Sequence, residues 1–216
     1  MSLKNSSHQA ELREAGWHTR GYLPHFDGRA IPQFITLHLG DSIPTKVIDR
    51  WQRELRELSD EEAKIVLQRR IEKYLDQGYG ECYLGNETIA HMVQQSLLKY
   101  DGLRYNLFSW VVMPNHSHSM FTRAEDWKLE TLLKNHKSYT AHEANKILGR
   151  KGKFWMDEYF DRYIRTTEHF WNTLRYIENN PVKAGLCRMP EDYLYSSALF
   201  YETGKDNWGF LTHYAD

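Results

Sequence analysis

The sequence predicts an α+β fold with a central antiparallel sheet. Two neighbouring runs rich in β-branched and aromatic residues are separated by a short turn, which is the pattern of a β-hairpin. Longer runs with apolar residues at helical spacing precede and follow this hairpin. The chain has 216 residues, of which 41% are hydrophobic, and this is enough apolar material for one core. We therefore expect a single domain over residues 1–216.

The N-terminal half is predicted to begin with a strand and to continue with helices. Residues 34–39 form a short apolar run bounded by a proline and a glycine, which predicts the first strand. Ser59 and Glu62 have the spacing of a capping box, so a helix should begin there. Asn86 can cap a second helix that precedes the hairpin. We expect a helical insertion near residues 44–80 as part of this arrangement.

The C-terminal half contains the predicted hairpin, formed by residues 105–112 and 115–122. A long amphipathic run over residues 129–148 predicts a helix, and a glycine follows its end. Residues 154–164 are rich in aromatic side chains and should be extended in part. Together with the first strand, these elements should give a four-stranded sheet.

Thr167 is predicted to cap a last helix, which runs through Tyr176 towards Asn180 and Pro181. The order strand, helix, strand, strand, helix, strand is that of a ferredoxin-like (RRM-like) sheet. We expect helices on one face of this sheet and an additional helix that carries Tyr176.

Composition excludes a strongly basic, polyanion-binding surface over the whole chain, because the formal net charge is -1. Residues 134–165 nevertheless contain eight Lys or Arg against four Asp or Glu, so a nucleic-acid site would have to be local. A solvated helix face would give the same charge run. The two cysteines, Cys82 and Cys187, are far apart and lack the spacing of a disulfide framework or a zinc knuckle.

The cellular location expected from these features is the cytoplasm, in association with the nucleoid. Two isolated cysteines fit a reducing compartment. No apolar run approaches the roughly 18 residues that span a bilayer, and the N-terminus lacks the apolar segment of a signal peptide. We expect no membrane partner.

The candidate for metal binding is the pair His116 and His118. Residues two apart on a strand project from the same face, so the two imidazoles can bind one cation together. The chain has 11 histidines, and a surface pair that arose by chance would show the same spacing. The apolar strand that leads into this pair, residues 107–112, would provide the rigid support that a catalytic site needs.

Several ordered motifs accompany the histidine pair. They are WVVMPNHSH at residues 110–118, FW at 154–155, YFDRYIR at 159–165, LRYIENNPVKAG at 174–185 and YSS at 195–197. Over roughly residues 20–200 the chain thereby resembles the REP-associated tyrosine transposases, which belong to the HUH superfamily and have an IS200-like transposase domain. The histidine motif departs from the family pattern at Ser117, where a hydrophobic residue is usual, but this side chain should point away from the two ligands.

The resemblance implies that Tyr176 attacks DNA and that His116 and His118 bind a divalent metal, Mg or Mn. The expected product is a 5′-phosphotyrosine and a free 3′-hydroxyl, and reversal of this step joins strands. Asn180 lies one helical turn beyond Tyr176, where its amide oxygen could be a third metal ligand. Helix capping before Pro181 is the alternative for Asn180. Phe170, Trp171, Leu174 and Ile177 should form the buried stripe of this helix, with Tyr176 on another face.

The implied substrate is single-stranded or hairpin DNA of the repetitive palindromic type. The candidates for contacts with its phosphates are Lys137, Arg162, Arg165 and Lys183, each of which could equally be an ordinary surface charge. The protein could act as a monomer or as a homodimer. Two other functions remain open: a metal-dependent nuclease in which water attacks, and a hairpin-binding protein without catalysis.

Overall fold

The computed structural model describes residues 17–20, 23–26 and 31–203. Expectations about the ends of the chain, including the missing signal segment, lie outside these residues. The strands are β1 Trp17–Arg20, β2 Leu23–Phe26, β3 Gln33–His38, β4 Tyr105–Val112, β5 His116–Arg123 and β6 Phe160–Tyr163. The helices are α1 Thr45–Glu54, α2 Asp60–Leu75, α3 Glu87–Leu98, α4 Leu129–Ile147, α5 Thr167–Lys183 and α6 Ala198–Thr203, with 3₁₀ turns at Tyr83–Gly85 and Pro190–Asp192.

The main sheet has four strands in the order β4-β5-β3-β6, and every neighbouring pair is antiparallel. This is the order of a ferredoxin-like sheet, and the predicted α+β fold is confirmed. Strand β6 pairs with the first part of β3, and the segment before β6 continues along the far end, where the Met156 N–H donates to the His38 carbonyl at 2.8 Å. Strands β1 and β2 form a separate antiparallel hairpin that the sequence pattern did not reveal.

The two faces of the sheet are covered by different helices. Side chains that alternate along β3 and β5, such as Ile35 and Phe121, pack with α3 and α4 in one core. The intervening side chains, such as Phe34 and Met120, pack instead against Leu174 of α5. The helices thus divide as expected, with the tyrosine helix separate from the α3–α4 layer.

Helices α1 and α2 form a smaller core of their own. Trp51 of α1, Ile71 and Leu75 of α2 and Phe160 of β6 belong to this cluster. The predicted capping box opens α2, because the Ser59 side chain accepts from the Glu62 backbone and Glu62 accepts in return. Since Phe160 joins this cluster, the C-terminal end of α2 is held close to the sheet.

Helix α5 differs from the prediction in its start and its end. The cap is Thr166 rather than Thr167, because the Thr166 hydroxyl accepts from the backbone N–H of His169 at 3.1 Å. The helix continues through Pro181 to Lys183, with Ala184 as its C-terminal cap. Asn180 therefore lies inside the helix, and the capping alternative for this residue is wrong.

The buried stripe of α5 is also displaced from the predicted one. Trp171 is 47% exposed and lies outside it. The stripe consists of Thr173, Leu174, Ile177, Asn180 and Pro181. Successive residues are about 100° apart around the helix axis. Because Asn180 and Pro181 belong to the buried stripe, the middle of the stripe lies further from Trp171 than predicted, and Trp171 and Tyr176 lie on opposite sides of it. Tyr176 is thus off the stripe, as expected.

Two further features of the described residues bear on the sequence-based expectations. Cys82 and Cys187 are both free thiols. Within ranges 17–20, 23–26 and 31–203, no helix combines the length and the apolar character that crossing a bilayer requires.

Acid should destabilise the fold through its buried histidines, and His136 of α4 is a suitable example. Burial, with a smaller contribution from Lys137, lowers the pKa of His136 from 6.5 to about 4. The folded-state pKa lies below the unfolded value, so the folded protein binds a proton at His136 less readily than the unfolded chain does. The stability of the fold that depends on a neutral His136 is therefore fully present above pH 6.5 and is lost as the pH falls towards 4. Urea unfolding at pH 7 and pH 4.5 should show a smaller loss of stability in His136→Gln than in wild type, by on the order of 2 kcal/mol.

The matched control is His142→Gln on the same helix, because the His142 side chain is 78% exposed. This variant should lose as much stability between the two pH values as wild type does. Equal losses in His136→Gln and wild type would contradict the prediction.

Candidate active site

Two imidazoles lie side by side on the α5 face of the sheet. His116 and His118 of β5 are both fully buried, and their ring centroids are 4.6 Å apart. Phe34 stacks on the His118 ring at 5.1 Å. The strand periodicity therefore places the two side chains together, as the sequence predicts.

Hydrogen bonds hold one nitrogen of each ring. His116 Nδ1 lies 2.7 Å from the Asn115 amide oxygen, which can only accept, so Nδ1 carries the proton. The Asn115 amide nitrogen donates at 3.0 Å to the carbonyls of Leu75 and Tyr79, which fixes the orientation of this amide. His118 Nδ1 lies 2.9 Å from the Thr36 hydroxyl. Each ring is thus oriented through Nδ1, an arrangement typical of metal-binding histidines.

The Nε2 atoms of both rings are buried and have no hydrogen-bond partner in the described part of the chain. Burial lowers the pKa of His116 to about 3, with His38 adding to the effect. The pKa of His118 is also well below its ordinary value, first through burial and then through His116, Arg162 and Lys183. Both rings are therefore neutral near pH 7 and can offer a lone pair to a cation.

Asp76 completes a possible ligand set. It follows the last residue of α2, and its carboxylate oxygen and one nitrogen each from His116 and His118 lie within 4.8 Å of one another. Burial raises the pKa of Asp76, while Asn180 and Lys183 oppose this shift. Two imidazoles and one carboxylate suit a divalent cation. Unpartnered Nε2 atoms beside a carboxylate show that these residues fit such an ion.

Asn180 lies at the edge of this set and is 1% exposed. Its amide nitrogen donates to the Asp76 carboxylate at 3.5 Å, and its side chain also lies against the Tyr176 hydroxyl. The structure therefore brings Asn180 to Asp76, which is itself next to the two histidines. A role for its oxygen as a metal ligand stays a prediction.

A third imidazole of the same sheet face was not singled out from the sequence. His38 of β3 is paired with His116 of β5, and Phe160 stacks on its ring at 5.7 Å. Its Nδ1 donates to the Leu39 carbonyl at 3.1 Å, so its buried and unpartnered Nε2 carries a lone pair. The alternation of residues 34–39 could have indicated that His38 faces this side.

Tyr176 of α5 lies against His118 and Phe34. Its ring centroid is 5.5 Å from that of His118 and 5.9 Å from that of Phe34. Its hydroxyl is buried next to the Asn180 side chain. Burial raises the pKa of Tyr176, and the carboxylates of Glu72 and Asp76 raise it further. The phenol is therefore neutral in this state.

Two of the four predicted cationic residues flank Tyr176. The Lys183 ammonium lies 4.7 Å from the centre of the Tyr176 ring, and the Arg162 guanidinium lies 5.4 Å from that of Phe34. Arg162 opposes the rise in the pKa of Tyr176, which is consistent with its proximity to the hydroxyl. The Arg162 Nε atom has no hydrogen-bond partner within the described ranges.

The other two cationic residues are not at the hydroxyl. Arg165 lies over the ring of Tyr163 at 4.8 Å. The Lys137 ammonium donates to the carbonyls of Met156 and Asp157 at 2.6 and 2.8 Å, so it fastens α4 to the segment before β6. A contact of Lys137 with DNA stays a prediction.

Helix α2 supplies the acidic residues that no sequence motif indicated. Glu72 is half-buried and accepts from Gln68 at 3.0 Å, and burial raises its pKa against the effect of Arg162. Glu72 and Asp76 are four residues apart, so both lie on the face of α2 that is turned towards α5. The helical insertion is therefore part of the site.

The comparison with known proteins agrees with this arrangement. Residues 85–180 match the family described as "Transposase IS200 like". A REP-associated tyrosine transposase of Escherichia coli (strain K12) is 27% identical over 112 residues, which are 51% of this chain and 65% of that protein. The match thus spans less than two thirds of this relative.

A solved structure is similar over nearly the whole fold. It is described as a REP-associated tyrosine transposase bound to a REP hairpin, with a TM-score of 0.51 and 16% identity. The match covers 92% of this chain and 94% of that one. Residues 85–180 are thus similar to the transposase IS200-like family, and the resemblance of this chain to the REP-associated tyrosine transposases is confirmed.

Proposed function

We propose that this protein cleaves and rejoins single-stranded DNA at hairpin elements, with Tyr176 as the nucleophile. The observation that carries the proposal is the position of the Tyr176 ring, 5.5 Å from that of His118 and beside a group of three potential metal ligands. A nucleophile next to a cation site and two basic side chains is suited to phosphoryl transfer. The solved relative bound to a REP hairpin supports hairpin DNA as the substrate.

We assign the metal ligands to His116 and His118 through Nε2, with the carboxylate of Asp76 as the third. Asn180 could add its amide oxygen, because this side chain is buried and contacts the Asp76 carboxylate. A bound Mg or Mn ion would polarise the scissile phosphate and offset its negative charge.

Tyr176 must lose its proton as it attacks, since its phenol is neutral and buried. The phenolic oxygen forms a bond to phosphorus, the bond from phosphorus to the 3′ oxygen breaks, and the 3′ oxygen ends as a hydroxyl. Arg162 and Lys183 favour this step, because positive charge near the hydroxyl offsets the repulsion between a phenolate and a phosphate. Attack by another 3′-hydroxyl on the phosphotyrosine reverses the step and joins strands.

For DNA binding we propose Arg162 and Lys183 at the scissile phosphate and Arg165 at the neighbouring phosphate. Arg162 and Lys183 lie beside Tyr176, and Arg165 follows two residues beyond the end of β6, where it could hold the next phosphate of a bound strand. We retain Lys137 only as a more distant candidate. A protein with this activity would work at the nucleoid, as a single domain acting alone or in a homodimer.

A second function deserves a test because the Tyr176 hydroxyl is buried and its pKa is raised. These properties would also suit a tyrosine that only packs against the histidines. The same ligand set would then serve a nuclease in which water attacks phosphorus and no protein–DNA bond forms.

Tyr176→Phe should abolish the covalent protein–DNA product. Protein is incubated with end-labelled single-stranded hairpin DNA and Mn, and adducts are separated from free DNA on a denaturing gel. The expected result is a metal-dependent adduct with wild type and at least a hundredfold less with Tyr176→Phe, because phenylalanine has no nucleophilic oxygen. Tyr195→Phe is the control, since Tyr195 lies beside β4 and outside the proposed site.

Cleavage without an adduct, equal in wild type and Tyr176→Phe, would instead establish the water-attacking nuclease. Binding of the hairpin with neither cleavage nor adduct would show a protein without catalysis.

Asp76→Asn should weaken metal binding. Titration calorimetry with Mn at pH 7 should give a Kd about tenfold or more above that of wild type, because a carboxylate is lost while the side-chain volume stays the same. Asn180→Ala should have a smaller effect. Asp49→Asn, at an exposed position of α1, is the control for the loss of one negative charge. A wild-type Kd for Asp76→Asn, together with a large loss for Asn180→Ala, would reverse the assignment of the third ligand.

A further inference from the structure

A cavity of about 720 Å³ opens between α3 and α4. Its size is within the range of about 300–1,000 Å³ that is typical of small-molecule sites. The walls come from the last turns of α3, the segment before β4, Phe121 of β5 and the first half of α4.

This cavity is separate from the tyrosine site. Phe121 belongs to the core under α3 and α4, whereas His118 faces α5 on the other side of the sheet. The two residues are three positions apart, which is about 10 Å along a strand.

The charge of the cavity is positive. Lys99 and Arg104 contribute to its lining, which contains no Asp or Glu. Arg104 is held in place between two rings, with its guanidinium carbon 3.7 Å from the centre of Tyr100 and 4.2 Å from that of Trp127. Among the described residues, neither cation forms an ion pair with a carboxylate. Two cations at one cavity, one of them held between two rings, suit an anionic group such as a phosphate.

The remaining lining combines aromatic rings with amides. Tyr139 and Tyr100 both line the cavity, and Tyr139 is 53% exposed. Gln95 and Asn135 add amide groups, which can both donate and accept. Aromatic faces stack on nucleobases, and amides can pair with base edges.

We propose that this cavity binds one unpaired nucleotide, with its phosphate on Lys99 and Arg104 and its base against Tyr139. The nucleotide could come from the single-stranded part of a DNA substrate or from a free mononucleotide, since both have this chemistry. The first source rests on the proposed function and would give that activity a second DNA contact. The binding itself does not depend on Tyr176.

The test uses Tyr176→Phe protein, so that cleavage cannot interfere. Each of the four deoxynucleoside 5′-monophosphates and a set of pentanucleotides are titrated by calorimetry. Lys99→Glu should weaken binding at least tenfold through charge reversal, and Tyr139→Ala about tenfold through loss of stacking. Lys134→Glu is the control, because Lys134 is an exposed residue of the same helix α4 and is not part of the cavity lining.

Lys134→Glu should change the Kd by less than about twofold. Saturable binding of monophosphates alone would identify free nucleotide as the ligand, whereas tighter binding of pentanucleotides would identify a DNA strand. The proposal is overturned if neither class binds saturably at millimolar concentration, or if Lys99→Glu and Lys134→Glu weaken binding equally.

Lys99 and Tyr139 are both exposed, so their substitution should leave the fold intact. A melting temperature equal to that of Tyr176→Phe will show that the variants are folded. The outcome is independent of the tyrosine mechanism. A wild-type protein that forms no adduct would refute the proposed function and leave this binding measurement unaffected.

Discussion

The imidazoles of His116 and His118 are buried, each with Nδ1 in a hydrogen bond and Nε2 without a partner among the described residues. The rest of the site depends on this arrangement. An unsatisfied buried polar atom costs about 1–3 kcal/mol, so two adjacent ones are retained only where the surrounding fold stabilises them. The Thr36 hydroxyl and the Asn115 amide fix the rings through Nδ1. A cation between the two Nε2 atoms would remove the cost and convert it into binding free energy.

The support for these rings comes from three separate parts of the chain. Asn115 reaches from the hairpin turn to carbonyls at and beyond the end of α2, so the hairpin and the helical insertion are joined at the histidines. Asp76 lies at this same junction and accepts from Asn180 of α5. Movement of either helix would therefore separate the carboxylate from the imidazoles. The insertion acts as a wall of the site rather than as an appendage.

The sheet separates two surfaces of different chemistry. Its α5 face carries the histidines, acidic residues and a buried phenol, all suited to reaction at a phosphate. Its other face carries an open cavity with two cations and several aromatic rings, which is suited to holding a nucleotide without reacting with it. Strand β5 contributes to both, because successive side chains point to opposite faces.

The sequence by itself determined the features that depend on local periodicity. The two-residue spacing puts His116 and His118 on one face, and the four-residue spacing puts Tyr176 and Asn180 on one side of a helix. The capping box at Ser59 and the strands of the hairpin are equally local, since each is encoded within a few residues. The ordered motifs then connected these features to a family.

Only the tertiary structure decided which other side chains reach the histidines. Asp76 and Asn180 are 104 residues apart, and no local pattern marks Asp76, because its role depends on how α2 packs against Phe160 and the sheet. Likewise, alternation indicates the face of His38, but only the pairing of β3 with β5 puts it opposite His116. The packing of α4 against the segment before β6 directs Lys137 to the carbonyls there. Periodicity fixes the direction in which a side chain points, whereas the packing of distant elements fixes what it meets.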